Sequence, residues 1–196
     1  MSPWNHKVAV TFARLEYSTT GAPYELCGRT QLYRALSDLK QHFGLEMRLG
    51  IAFDFKLYRA VTEKIQHGTQ EVTRPAIEPV ESNMAANNSY SMMTVEDKLL
   101  EVCHMLKQCG VAVEAVVKGK QLGQFRMVMN SQEEAMRATE NCVLAKMTLK
   151  KYFLKKDIEV SFVPCEPDII GSVQVPVSVS LWKDGKNVSG DEFSLF

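Results

Sequence analysis

The sequence predicts an α+β fold, a largely antiparallel sheet with helices packed on one face. Apolar residues recur at every second position in some segments and at every third or fourth in others, so strands and helices are both present. The two kinds of segment also follow one another irregularly, as strand, helix, strand, loop, helix, two strands, helix and two strands, rather than in the strict strand–helix alternation of a parallel sheet. At 196 residues the chain is long enough to bury the core such layers need.

The elements follow in order. Val8, Val10 and Phe12 alternate within His6–Tyr17 and predict a first strand, closed by a turn at Thr19–Pro23. Leu32, Leu36, Leu39 and Phe43 make one apolar stripe on a helix from Arg29, and Gly44 supplies the left-handed residue that ends it. Leu49, Ile51, Phe53, Phe55 and Leu57 alternate along a strand over 45–58. Residues 60–93 carry prolines, a polar Asn- and Ser-rich tract and little periodicity, and they predict a long flexible loop. Thr94 and Asp97 read as a capping box for a second helix with Leu99, Cys103 and Leu106 on its stripe, ended by Gly110. Strands follow at Val111–Val117 and Gln124–Met129. A better capping box, Ser131–Glu134, opens the longest helix, which buries Ala135, Ala138, Cys142, Ala145, Leu149 and Phe153 and runs to about Leu154. Ile158–Val163 is a strand, Gly171–Trp182 is the clearest period-two stretch, and Asp184–Gly185 is a tight hairpin turn.

Composition excludes several function classes. Lys+Arg and Asp+Glu are equal at 23 each, so the chain lacks the electrostatic footprint of a nucleic-acid or anionic-membrane binder. No apolar run approaches the ~18 residues of a membrane span. The N-terminus lacks the features of a secretion signal, and the five scattered cysteines read as free thiols, which together predict a cytoplasmic protein. Cys103, His104 and Cys109 fall on different helix faces and make no zinc set. Gly119 and Gly123 have neither the Walker nor the dinucleotide-binding spacing. Lys118, Lys120 and Arg126 form a small basic cluster suited either to a solvated loop or to gripping an anion. No catalytic constellation follows from the residues alone.

Five motifs in order nevertheless resemble the catalytic domain of type I glutamine synthetase, and most of all its divergent, lengsin-type members. They are Pro3-Trp4 with Gly21-Ala22-Pro23-Tyr24 and Arg29; Gly50-Ile51-Ala52-Phe53-Asp54-Phe55; Gly110-Val111 with Val113-Glu114; Gly123-Gln124-Phe125-Arg126; and Gly171-Ser172 through Ser180-Leu181-Trp182 to Asn187. The resemblance implies a partial form of that domain over residues 1–196, without the family's small N-terminal β-grasp domain and the C-terminal part of its catalytic domain. The family joins glutamate to ammonia with ATP, around Mg²⁺ or Mn²⁺ held by carboxylates and a histidine, because hard cations need oxygen ligands.

Carried over residue by residue, the resemblance implies that this metal set is lost. The two strand glutamates fall on Ala52 and Asp54, a third on Lys118 or Gly119, the glutamate after Gly-Gln-Phe on Arg126, and the two histidines before the Ser-Leu-Trp segment on Pro176 and Ser178. Gln124 keeps its place and Asp54 alone survives as a candidate ligand. An arginine about 4 Å from a divalent ion is repelled by roughly 8 kcal/mol at an effective dielectric near 20. The expectation is a pseudoenzyme that binds neither metal nor cofactor and has a structural or protein-interaction role, in self-association or with other subunits. The alternatives are an ATP-dependent ligase with a remodelled site and an anion- or nucleotide-sensing domain using Lys118, Lys120 and Arg126.

Overall fold

The computed structural model describes residues 2–67, 70–81, 89–164 and 173–189, with side chains left aside over 63–75. In order the elements are α1 (Gly28–Phe43), β1 (Glu46–His67), β2 (Gln70–Pro79), α2 (Ser89–Met93), α3 (Glu96–Gln108), β3 (Val113–Lys118), β4 (Gln124–Met129), α4 (Ala135–Leu154), β5 (Ile158–Ser161), β6 (Val177–Lys183) and β7 (Lys186–Asn187). Among the described residues these strands form one seven-stranded sheet in which every pairing is antiparallel.

β1 is the spine of the sheet. Its start pairs β6 and its middle pairs β4, Lys56–Arg59 pair β5, and Tyr58–His67 pair β2. A strand bonded along both edges can hold alternate residues on opposite sides without leaving backbone groups unpaired. Leu49, Ile51, Phe53, Phe55 and Leu57 all point into one core cluster. The helices meet them there through Leu36 of α1, Met92 of α2, Leu99, Val102 and Leu106 of α3, and Ala138, Cys142, Ala145, Leu149 and Phe153 of α4. The predicted buried stripe of α4 is thus buried in full. Gly44 closes α1 in the left-handed conformation (φ 66°), with its N–H bonded to the Lys40 carbonyl. The β6–β7 turn places Asp184 and Gly185 at φ 49° and 77°, the two positive angles that a two-residue hairpin of matching twist requires.

The structure departs from the sequence reading in four places. His6–Tyr17 forms no ladder. It is held instead by local bonds, Val8 to Ser2 and Asn5, Leu15 to Tyr24 and Tyr17 to Ala22, and by an isolated bridge of Glu16 with Pro23, because an alternating stretch with no neighbouring strand has no ladder to join. The expected loop over 60–93 is largely regular: 60–67 extend β1, 70–79 return as β2, and 89–93 form α2. Residues 68–69 and 82–88 of that expectation lie outside the described residues. Neither capping box forms. The Thr94 hydroxyl donates instead to the Ser91 carbonyl at 2.8 Å, and Gln132 exchanges backbone bonds with Leu49, so α3 and α4 begin later, after Val95 and Glu134. Finally, the period-two stretch is a strand only from Val177. Val173 is buried, but Val175, Val177 and Val179 are about half exposed although Val177 and Val179 pair with core residues Ile51 and Leu49. Residues 171–172 lie outside the described residues.

No helix among the described residues is long and apolar enough to cross a membrane. Cys27, Cys103, Cys109 and Cys142 form no disulfide. Cys165 lies outside the described residues.

Candidate functional site

The alternation that sends Phe53 and Phe55 into the core sends Ala52, Asp54 and Lys56 to the opposite side of β1. Cross-strand partners in register share a side, so Arg126 of β4 stands directly opposite Asp54, with Val128 opposite Ala52 and Gln124 opposite Lys56. On the other edge, Ser178 pairs with Gly50, while the Ala52 and Asp54 N–H groups donate to the Pro176 and Gln174 carbonyls at 3.0 and 2.8 Å. The structure therefore brings Ala52, Asp54, Gln124, Arg126, Pro176 and Ser178 together around one face.

Asp54 is 2% exposed and its carboxylate is engaged on both oxygens. Arg126 grips it as a fork, Nε donating to Oδ1 at 2.6 Å and Nη2 to Oδ2 at 3.0 Å. Oδ2 also accepts from Gln124 Nε2 at 3.3 Å and from the Gln174 N–H at 3.2 Å. A bidentate charge-assisted pair of this kind is both strong and directional. Donation to Asp54 raises the Arg126 pKa above its ordinary value and outweighs the lowering effect of partial burial.

The two positions weighed for the third family glutamate separate clearly. Lys118 is paired with Phe125 across the β3–β4 ladder, and its ammonium lies 5.9 Å from that ring, so it lies on the far side from Arg126. It is buried and forms an ion pair with Glu81 (3.1 Å), with further bonds to the Gly119 and Gln121 carbonyls. Gly119 instead shares the Gln124 side: a Cβ there would sit 2.6 Å from Gln124 Cγ. The face position is thus Gly119, which has no side chain at all. The same loop is pinned by Gly123, whose N–H donates to Glu81 at 2.8 Å, and by the Gln121 N–H, which donates to Gln124 Oε1 at 3.0 Å.

The predicted basic cluster does not assemble. Lys118 and Arg126 are answered by different carboxylates on opposite sides of the sheet, and Lys120 is exposed. Glu81 and Gln174 were missed by sequence reasoning. For Glu81 one signal existed, because a lysine ending the apolar run of β3 needs a buried counter-charge. For Gln174 there was none, since it acts through its backbone N–H.

These residues do not fit a divalent ion. Both oxygens of the one carboxylate are committed to donors, the neighbouring positions are Ala52, Gly119 and an arginine, and no three His, Cys, Asp or Glu residues among those described are placed to hold a metal.

Comparison with known proteins gives one consistent result. The family profile of the glutamine synthetase catalytic domain matches residues 25–194. Among solved structures, the chain is similar to the cryo-EM structure of Plasmodium falciparum glutamine synthetase (15% identity, TM-score 0.68, covering 86% of this chain and 36% of that one). It is also similar to a crystal structure titled a novel glutamine synthase homolog (15% identity, TM-score 0.70, 89% and 36%) and to the ADP complex of GmaS (18% identity, TM-score 0.67, 86% and 36%). The chain therefore spans about 36% of the length of these structures. No curated protein matches it.

Proposed function

From the premise that this chain belongs to the glutamine synthetase catalytic-domain family, we propose that it is a divergent, lengsin-like member in which the fold serves a structural or protein-interaction role and the ligase chemistry is silent. The observation that carries this reading is the fork of Arg126 on Asp54. The position where the family places a carboxylate facing the metal is held by a cation, and that cation consumes the remaining carboxylate. The pair satisfies itself, so it offers no net negative charge where a metal centre needs converging negative oxygens. Packing is intact on the helix side of the same strand, the pattern expected where a fold is kept and its site is not. Self-association or docking to other subunits, in the cytoplasm, completes the proposal.

Titration calorimetry with Mn²⁺ and ATP tests it. The expected result is no saturable heat in the micromolar range, and micromolar binding would overturn the reading in favour of a ligase with a remodelled site. The double variant Ala52→Glu/Arg126→Glu is the matching control. It sets three carboxylates on adjacent positions of one face, and Mn²⁺ binding on the order of 10⁻⁴ M or tighter is expected to appear.

A further inference from the structure

The sheet ends at β3, and this edge differs from the others. β7 is two residues long, β5 is four, and the sequence of β2 carries Pro75, Pro79 and three charges, which are the usual guards against a stray strand. β3 offers Ala115-Val116-Val117 in succession. Its Lys118 is turned inward to Glu81, so the one exposed charge on the strand is Glu114, beside an irregularity in register. The Gly119 N–H donates to the Gln124 carbonyl at 2.7 Å. Bonding toward the neighbour alternates along an antiparallel ladder, so Ala115 and Val117 face β4 while Val116 turns its N–H and C=O to the open side. Among the described residues no strand meets them.

Beside this edge, α2 and α3 stand off from β3 and leave a recess of about 630 Å³. Its walls include Met92, Leu99 and Cys103, and its rim includes Met93 and Leu100, 69% and 58% exposed. Two carboxylates, Glu96 and Glu114, also line it, and neither has an ion-pair partner among the described residues, whereas the one cation there, Lys118, is already matched.

We infer that the β3 edge and the recess beneath it form a docking site for an extended segment of another protein, one that adds as a strand to β3, places alternate apolar side chains between β3 and α3, and carries lysine or arginine against Glu96 and Glu114. Each part of the site selects a property of the partner. The open row of backbone groups requires an extended chain. The apolar walls require apolar side chains at every second position, and the two unanswered carboxylates, which line the same recess, require basic residues on that same face, flanking the apolar ones. A second copy of this chain fits less well, since its β3 would bring its own Glu114 against this rim. The proposal uses none of the residues around Asp54 and stands independently of whether that face binds metal.

The test uses the full chain and a capped peptide, Thr-Lys-Thr-Val-Thr-Val-Thr-Lys-Thr, which puts valines and flanking lysines on one face of a strand, followed by fluorescence anisotropy and by amide hydrogen exchange. Saturable binding is expected, with slowed exchange at Val116. The counterpart with Glu for Lys, and a version N-methylated at alternate residues, are expected not to bind. Glu96→Gln/Glu114→Gln should weaken binding by up to about fivefold per charge, the scale of a surface ion pair. Leu100→Asp, at an exposed position that leaves the fold intact, should abolish it. No binding by the lysine peptide, equal binding by the glutamate peptide, or indifference to Leu100→Asp would each overturn the proposal. So would a native mass at twice the chain weight with Val116 already protected, because a second copy would then hold the edge.

Discussion

The two sides of β1 alternate through the same six consecutive residues, yet they behave as different kinds of material. Phe53, Phe55 and Leu57 are fully buried against α3 and α4, with ring centroids of Phe55 at 5.9–6.5 Å from those of Phe53, Phe125 and Phe162. Ala52, Asp54 and Lys56, interleaved with them, look across at Arg126 and Gln124. The apolar side is redundant: many contacts, none directional, each replaceable by a neighbour of similar volume. The polar side is a small closed set of directional bonds in which changing one member leaves another unsatisfied. A fold can therefore persist on the first side while the second is rewritten, provided the rewriting ends in a set that satisfies itself. Asp54 with Arg126, Gln124 and the Gln174 N–H is such a set.

The largest effect belongs to the packed side. Phe55→Ala removes a fully buried ring from the centre of the aromatic cluster and is expected to cost about 3–5 kcal/mol. Urea unfolding with an unchanged slope is the measurement. A loss below about 1 kcal/mol would mean that the apolar side is not the scaffold of the fold. Gly123→Ala comes next, at the turn that ties the two sides together. Gly123 has φ +63°, and an added Cβ would lie 2.6 Å from the Leu57 carbonyl oxygen. The left-handed conformation and that contact together predict a loss of about 2–3 kcal/mol, read in the same unfolding experiment.

The packed side was the legible one. Period-two spacing marked β1 and period-four spacing the whole buried stripe of α4, because burial repeats with the geometry of the element and leaves its mark at every turn, whereas on the expected α1 stripe Leu32, Leu36 and Leu39 are only half-buried and Phe43 is 66% exposed. The hairpin of β1 and β2 was not legible: beyond Tyr58 the apolar alternation stops, and what holds 60–67 to 70–79 is backbone pairing, which any sequence supports. The strand expected at His6–Tyr17 failed for the converse reason, alternation without a partner. At the site, the motifs located Asp54, Gln124 and Arg126 in one-dimensional order, but that Arg126 would close on Asp54 depends on a cross-strand register that no local pattern encodes. The choice between Lys118 and Gly119 turned on a single residue of register, and such a slip exchanges the sides of a strand.

The polar side is tested by taking its set apart. Arg126→Ala leaves the Asp54 carboxylate buried with only two neutral donors. Because the arginine side chain is itself 37% exposed, the expected loss is about 2 kcal/mol, below that of a fully enclosed pair. Removing both charges in Asp54→Asn/Arg126→Met is expected to restore stability to within about 1 kcal/mol of the parent. The double-mutant cycle measures the coupling directly. Additive losses would mean that the two groups do not act as one unit, and the contrast with the apolar side would then disappear.

The smallest effect sharpens the contrast by locating a polar bond on the helix side. Tyr152 of α4 donates its hydroxyl to Glu101 of α3 at 2.5 Å, and burial first, then this bond and the Glu101 charge, push the phenol pKa above its ordinary value. Tyr152→Phe keeps the ring and its packing, so the expected loss at neutral pH is only about 0.5–1 kcal/mol. The sign of its pH dependence follows from the raised pKa. The folded chain holds the phenol neutral while the unfolded chain ionises near pH 10, so the contribution is complete below about pH 10 and is lost as pH rises toward the folded value. The parent and the variant should therefore differ at about pH 7 and converge near pH 11. A constant difference across that range would assign the effect to packing rather than to the bond with Glu101, and directional bonding would then not carry over from the polar side to the α3–α4 contact.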